Sequence, residues 1–315
     1  MKLLKQLYET YSPSGGEKRM KKFLKLWISQ NVPDAVIEHD NTGNLYITRG
    51  KAGSYPCVVA HLDQVQKNHS LDFKAIETDE IIFGYSSKNR RQEGLGADDK
   101  NGIWVALKCL ERFDTLKVAF FVGEEIGCVG SSRCVMSFFE DCRFVLQCDR
   151  KHGNDLIVNA SWTNLCSEDF IKDIGYELFG YKKANGMLTD VATLKENGLE
   201  VSCLNISCGY YEPHTDHEFT IKSELLGCRD FVFHIIETCN KPYPHIDEEF
   251  GAYGSCYGGY PYDEYDIACE MVDDYLSYNP HASVQEVYDL FKDEFIHLDK
   301  ADFKEMIHAC NVRCM

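Results

Sequence analysis

Residues 117–127 read KVAFFVGEEIG: an apolar run from Lys117 to Val122, then a glycine, two adjacent glutamates and a second glycine. Six residues of this kind, too short for a helix and rich in Val and Phe, predict a strand buried on both faces. The acids that follow it, Glu124 and Glu125, therefore belong at the strand's carboxyl end. Three further short apolar runs share this character, Cys57 to Ala60, Phe144 to Cys148 and Val201 to Ile206. Between them lie helical spacings, such as Ile103, Ala106, Leu107 and Leu110, and later Leu225, Leu226, Phe231, Phe233 and Ile236. Buried strands alternating with amphipathic helices predict an α/β fold with a mostly parallel central sheet flanked by helices. Near the amino terminus, Met20, Phe23, Leu24 and Trp27 predict another helix, after the turn Ser12-Pro13-Ser14-Gly15. Two hairpins are expected, one turning near Asp40 to Asn44 and one spanning Phe73 to Phe83 with its bend at Thr78 and Asp79.

Composition changes near Lys241. The stretch from Tyr243 to Tyr265 is rich in Gly, Tyr, Pro and acids, as linkers are, and three short helices are expected beyond it, from Ile267, Ser283 and Ala301. Ser283 and Glu286 have the spacing of a capping box. A catalytic domain at 1–241 and an acidic linker with a helical C-terminal appendage at 242–315 follow. From 241 onward there are 16 acidic and 5 basic residues, a net of −11 out of the chain's −17, so the first part is only mildly acidic.

Fifty acidic against 33 basic residues leave no basic face for a phosphate backbone, which argues against a nucleic-acid partner. No apolar run reaches membrane-spanning length, and the first residues lack the uninterrupted apolar stretch of a secretion signal. A soluble, cytoplasmic protein is expected. The fifteen cysteines are odd in number, scattered and mostly within apolar strands and helices, which suits reduced core thiols.

The acids and histidines cluster at the strand ends. His61 and Asp63 follow the first run, Glu124 and Glu125 the second, Asp149 the third, and His214 comes shortly after the fourth. Ligands of open α/β sheets bind in the crevice outside these ends. Singly, each residue has an ordinary explanation: a histidine at a strand end is commonly structural, and Asp63 suits a turn. If the strand persists, Asp63 would face the same way as His61 and its carboxylate could hold the far imidazole nitrogen. In Gly96-Ala97-Asp98-Asp99-Lys100-Asn101-Gly102, one aspartate is enough to cap the helix that follows. Two adjacent carboxylates, like the Glu124–Glu125 pair, cost energy in a crevice unless cations neutralise them. His61, Asp98, Glu125, Asp149 and His214 supply three carboxylates and two imidazoles, with Glu124 left over as a base, the inventory of a two-metal hydrolase.

The motifs SPSGGEK, VVAHLDQV, LGADDKNGI, FVGEEIG, LQCD and PHTDHE resemble, in order and chemistry, those of the co-catalytic dizinc exopeptidases, a clan that includes peptidase T, the aminoacylases and the bacterial leucyl aminopeptidases. The resemblance spans about residues 1 to 240. It implies two zinc ions, or cobalt or manganese in their place. One would be held by His61 and Asp149 and the other by Glu125 and His214, with Asp98 bridging, Glu124 as general base and a cis Asp98–Asp99 peptide. It implies hydrolysis of terminal bonds of short peptides. The stretch between Asp149 and His214 is too short for the lid and dimerisation domain of peptidase T, so any oligomer would form through other surfaces. Lidded relatives draw their oxyanion donor from a second subunit; Tyr210 and Tyr211 are the candidates to replace it here. A dizinc carboxypeptidase or N-acyl amino acid deacylase is the nearest alternative and would need a basic residue, such as Arg90, Arg91, Lys100 or Arg150, for a terminal carboxylate. A non-catalytic binding module on the same fold is a further alternative.

Overall fold

A computed structural model describes residues 1–160, 163–246, 282–292 and 299–313, together with positions 268, 272, 275, 276 and 279. The chain divides into two compact units, Met1–Gly251 and Ala252–Met315.

The first unit is built on a nine-stranded sheet. Its edge begins with the hairpin of β1 (Val36–His39) and β2 (Leu45–Arg49), the expected one. Strands β3 (Tyr55–His61), β7 (Leu116–Phe121), β8 (Cys142–Arg150) and β12 (Cys203–Ser207) take in the four apolar runs, apart from Val122, Val201 and Ser202, and form the parallel centre in the order β7-β3-β8-β12. Beyond β12 lie β9 (Asp155–Ala160), β10 (Thr163–Asn164) and β11 (Lys182–Gly186). A smaller sheet is made by β4 (Phe73–Glu77), β5 (Ile81–Ser86), β6 (Arg91–Gln92), β13 (Tyr210–Tyr211) and β14 (Phe219–Ile221), with β4 and β5 the second expected hairpin.

Alternation along β3 explains how both faces are covered. Val58 and Ala60 join one hydrophobic core with α1 (Lys2–Tyr8), α2 (Lys18–Asn31), α3 (Ala97–Arg112), α5 (Glu168–Ile174) and α7 (Lys222–Thr238). Cys57 and Val59 point the other way, into a second core with Val191, Ala192 and Leu194 of α6 (Asp190–Glu196). A short helix, α4 (Val129–Ser132), follows the Glu124–Glu125 turn. Every residue of β3 and β7 is buried, which is why these strands read as continuous rather than alternating apolar runs. Eleven cysteines between Cys57 and Cys239 are free thiols, ten of them buried.

Tyr243 and His245, placed by composition in the linker, instead pack on the first unit. The Tyr243 ring lies 4.8 Å from that of Phe170, its hydroxyl donates to Asp173, and its carbonyl accepts from Ser202 N–H. A Gly- and Pro-rich composition hides a single aromatic anchor of this kind. In the second unit, α8 (Val284–Phe291) starts at the expected Ser283–Glu286 capping box and is followed by α9 (Lys300–Arg313). Val287, Phe291, Phe303 and Met306 are buried in its small core. Most of the helix expected from Ile267 lies outside the described residues.

Candidate metal centre

His61 closes β3 and is fully buried. Its Nε2 lies 3.0 Å from Asp98 Oδ1, 3.5 Å from Asp149 Oδ1 and 3.8 Å from Glu124 Oε2. Across the crevice, His214 Nε2 lies 3.2 Å from Asp98 Oδ2 and 3.1 Å from Glu125 Oε2. Two groups of donors result, His61, Asp98 and Asp149 in one and Asp98, Glu125 and His214 in the other, each within 4.8 Å. Asp98 is common to both, one oxygen turned to each histidine.

The start of α3 explains how Asp98 is presented. Gly96 has φ +63°, the Asp98–Asp99 peptide is cis, and both aspartates depart from helical geometry. Asp99 turns inward: its carboxylate accepts from His61 N–H at 3.1 Å and from Gly102 N–H at 2.9 Å, the second being a helix cap. A Cβ on Gly102 would sit 2.3 Å from that carboxylate, so a larger residue there would have to displace it. The two adjacent aspartates thus have separate tasks, one facing the crevice and one fastening the helix to β3.

Asp63 lies beyond the end of β3 rather than continuing it. His61 Nδ1 is consequently nearer the Asp63 carbonyl, at 3.1 Å, than its carboxylate, at 3.5 Å. That carboxylate accepts from Ser14 Oγ and from the N–H groups of Glu124 and Glu125. It therefore holds the glutamate turn as well as the histidine. Asp149 is fixed by two polar residues set in otherwise apolar strands: Gln147 Nε2 donates to its carboxylate at 3.0 Å, and Asn205 Oδ1 accepts its N–H at 3.0 Å.

Burial pushes Asp149 and Glu124 up, and in each case His61 opposes while neighbouring carboxylates add to the rise, leaving both well above the usual carboxylate range. Burial pushes His214 down, but its contacts with Asp98 and Glu125 outweigh that and raise it to about 12. This excess of negative charge suits divalent cations. A second observation agrees: Glu125 Oε1 is buried with no hydrogen-bond partner, an orphaned acceptor of the kind a cation satisfies. Two imidazoles and three carboxylates, one shared, fit a pair of zinc-class ions.

Of the two tyrosines, Tyr211 is turned elsewhere. Its ring stacks on Phe219 and its hydroxyl is engaged by both Glu224 oxygens, at 3.1 and 3.0 Å. Tyr210 is buried, and the charges of Asp98 and Asp149 add to burial in raising its hydroxyl. The basic residues considered for a terminal carboxylate are committed in part: Lys100 Nζ donates to Gln64 and to the Leu95 carbonyl, and Arg150 pairs with Asp155. Sequence reasoning missed Asp190, which accepts from Ser131 and Gln147 behind Glu124 and is raised by burial to about 6. It also missed Gln147 and Asn205. The available signal was a lone amide inside an apolar strand.

No family model matches the chain, and no curated protein does. Solved structures do. Aminopeptidase PepT from Bacillus cereus superposes with a TM-score of 0.63 at 15% identity, over 76% of this chain and 98% of its own. A tripeptidase from Staphylococcus aureus gives 0.61 at 15% identity, over 75% and 96%. An aminopeptidase from the archaeon Desulfurococcus kamchatkensis gives 0.57 at 15% identity, over 82% and 98%. The chain shares the fold of these peptidases.

Proposed function

We propose that the protein is a two-metal exopeptidase that removes residues from the amino end of short peptides. The observation that carries this reading is the shared carboxylate of Asp98, with a histidine and a second carboxylate completing the donor group on each side. His61 and Asp149 would hold one zinc-class ion and Glu125 and His214 the other, with Asp98 common to both. When bound, such a pair supplies Lewis acidity toward a carbonyl oxygen and brings the pKa of water towards neutrality.

The remaining work falls to the chain itself. Glu124 Oε1 accepts from Cys128 Sγ, while Oε2 points towards His61 Nε2. Placed beside His61 and Asp149, Glu124 suits a base that would take a proton from water and hand it to the departing amine. Asp63 keeps the turn bearing Glu124 and Glu125 in register with His61. The stretch between Asp149 and His214 builds β9 to β13, α5 and α6, which supports a site without a lid domain.

The commitments of Lys100 and Arg150 favour a substrate amine over a substrate carboxylate, and hence an aminopeptidase over a carboxypeptidase or deacylase. Assaying the zinc- or cobalt-loaded protein against aminoacyl anilides, tripeptides, carboxypeptidase substrates and N-acyl amino acids tests this. Turnover confined to substrates with a free amino terminus is the expected result. Turnover of N-acyl amino acids alone would overturn it.

A further inference from the structure

Glu218 lies four residues beyond His214, fully buried, and is not a member of either donor group. Its carboxylate accepts the N–H of Gly96 at 2.6 Å, that of Ala97, and that of Asp98 at 3.2 Å. Successive N–H groups converging on one anion form a concavity of the kind that binds phosphates elsewhere. Here the anion is a side chain of the same molecule, and what it grips is the backbone that presents Asp98.

The carboxylate also ends a directed chain of hydrogen bonds. Buried Lys100 donates to Gln64 Oε1, Gln64 Nε2 donates to Gln66 Oε1 at 3.0 Å, and Gln66 Nε2 donates to Glu218 Oε2 at 3.1 Å. Each amide uses its oxygen towards the cation and its nitrogen towards the anion, so the dipoles of both run with the field between Lys100 and Glu218. Gln64 and Gln66 follow His61, Lys100 follows Asp98, and Glu218 follows His214. One network thus joins the three segments that carry His61, Asp98 and His214. Backbone approach makes the joint tight: a Cβ on Gly94 would sit 2.6 Å from the Thr215 carbonyl oxygen and 2.5 Å from Gln66 Cγ.

We infer that Glu218 is the positioning residue that sets the Asp98 carboxylate between the two metal sites, an inference that rests on the two-metal reading above. The two Asp98 oxygens lie at 3.0 and 3.2 Å from different histidines, so a rotation of its backbone disturbs both sides together. Glu218→Gln preserves volume but replaces an acceptor oxygen by an NH2 group that confronts N–H donors. Glu218 meets Asp98 at its backbone N–H and is not itself a member of either donor group, so it acts on the metal sites through the backbone that presents Asp98.

The test measures affinity for Co(II) at both sites by chelator competition, together with the visible spectrum of the bound Co(II), in wild type, Glu218→Gln and Phe170→Leu. The last is a core change that serves as a control for loss of stability. In folded Glu218→Gln, both affinities should fall together by about 10- to 100-fold, the usual effect of losing an outer-shell partner, with an altered Co(II) spectrum. Phe170→Leu should lower the melting temperature and leave both affinities and the spectrum as in wild type. Should Glu218→Gln fail to fold, Glu218→Asp gives the same readout, because it keeps the charge but withdraws the oxygens by one methylene. Wild-type affinities in a folded Glu218 variant, or weakening of one site alone in it, would overturn the inference. A wild-type protein that binds no second ion would instead overturn the two-metal reading.

Discussion

Glu124 and Glu125 are neighbours whose side chains meet different partners, as the roles proposed for them require. Glu125 Oε2 meets His214 while its other oxygen is left without a partner, the disposition of a ligand; Glu124 faces His61 with Asp149 and Asp190 nearby, the disposition of a proton carrier. Glu124→Gln should therefore keep both ions and lower kcat by roughly two to four orders of magnitude. Glu125→Gln should weaken one ion. Metal analysis beside steady-state kinetics separates the two, and the reverse pattern would exchange their roles. These residues were legible because the sequence puts metal-type side chains directly after apolar strands. Glu218, Gln64 and Gln66 were not, since nothing in PHTDHE or HLDQVQ says that a glutamate will meet a backbone 120 residues away. Tyr211 makes a related point: closeness to His214 along the chain did not reveal that its hydroxyl would donate to Glu224.

At the scale of elements, the loop that leaves β3 is fastened by His69, whose ring meets Tyr11 at 4.9 Å and Phe73 at 4.2 Å, both edge to face. Burial, aided by Lys100, lowers its pKa to about 4, against a partial opposing effect of Glu93. Because the folded value lies below the ordinary one near 6.5, the fold favours neutral imidazole. The contribution is complete above that pH and is lost as pH falls from about 6.5 to about 4. His69→Phe keeps a ring in the slot and takes up no proton. Its unfolding free energy, followed by denaturant titration between pH 7 and pH 4, should decline less steeply than that of wild type; parallel declines would show that His69 is not involved. Element type was readable from periodicity throughout the parallel centre, where burial on both faces makes the apolar runs continuous. What periodicity does not contain is how an element ends. The end of β3 at His61 altered the expected hold of Asp63, and the non-helical first residues of α3 turn Asp98 and Asp99 to different partners.

For the whole molecule, the division falls after Gly251, later than the change in composition suggested, because Tyr243 is part of the first unit's core. Among the described residues, no member of the two candidate donor groups lies beyond His214. A chain ending at Gly251 should fold, bind both metals and turn over a small peptide substrate; a folded, metal-loaded chain of that length with no activity would mean that the second unit completes the site. Among the described residues, no helix is long and apolar enough to cross a membrane. The most direct measurement is the metal content of wild type and Asp98→Asn after dialysis against zinc, read by mass spectrometry beside peptide hydrolysis before and after chelation. About two ions per chain in wild type, loss of both in Asp98→Asn, and activity that disappears on chelation and returns with metal are expected. Full activity after exhaustive chelation, or an Asp98→Asn protein that still holds two ions, would contradict the shared-carboxylate centre.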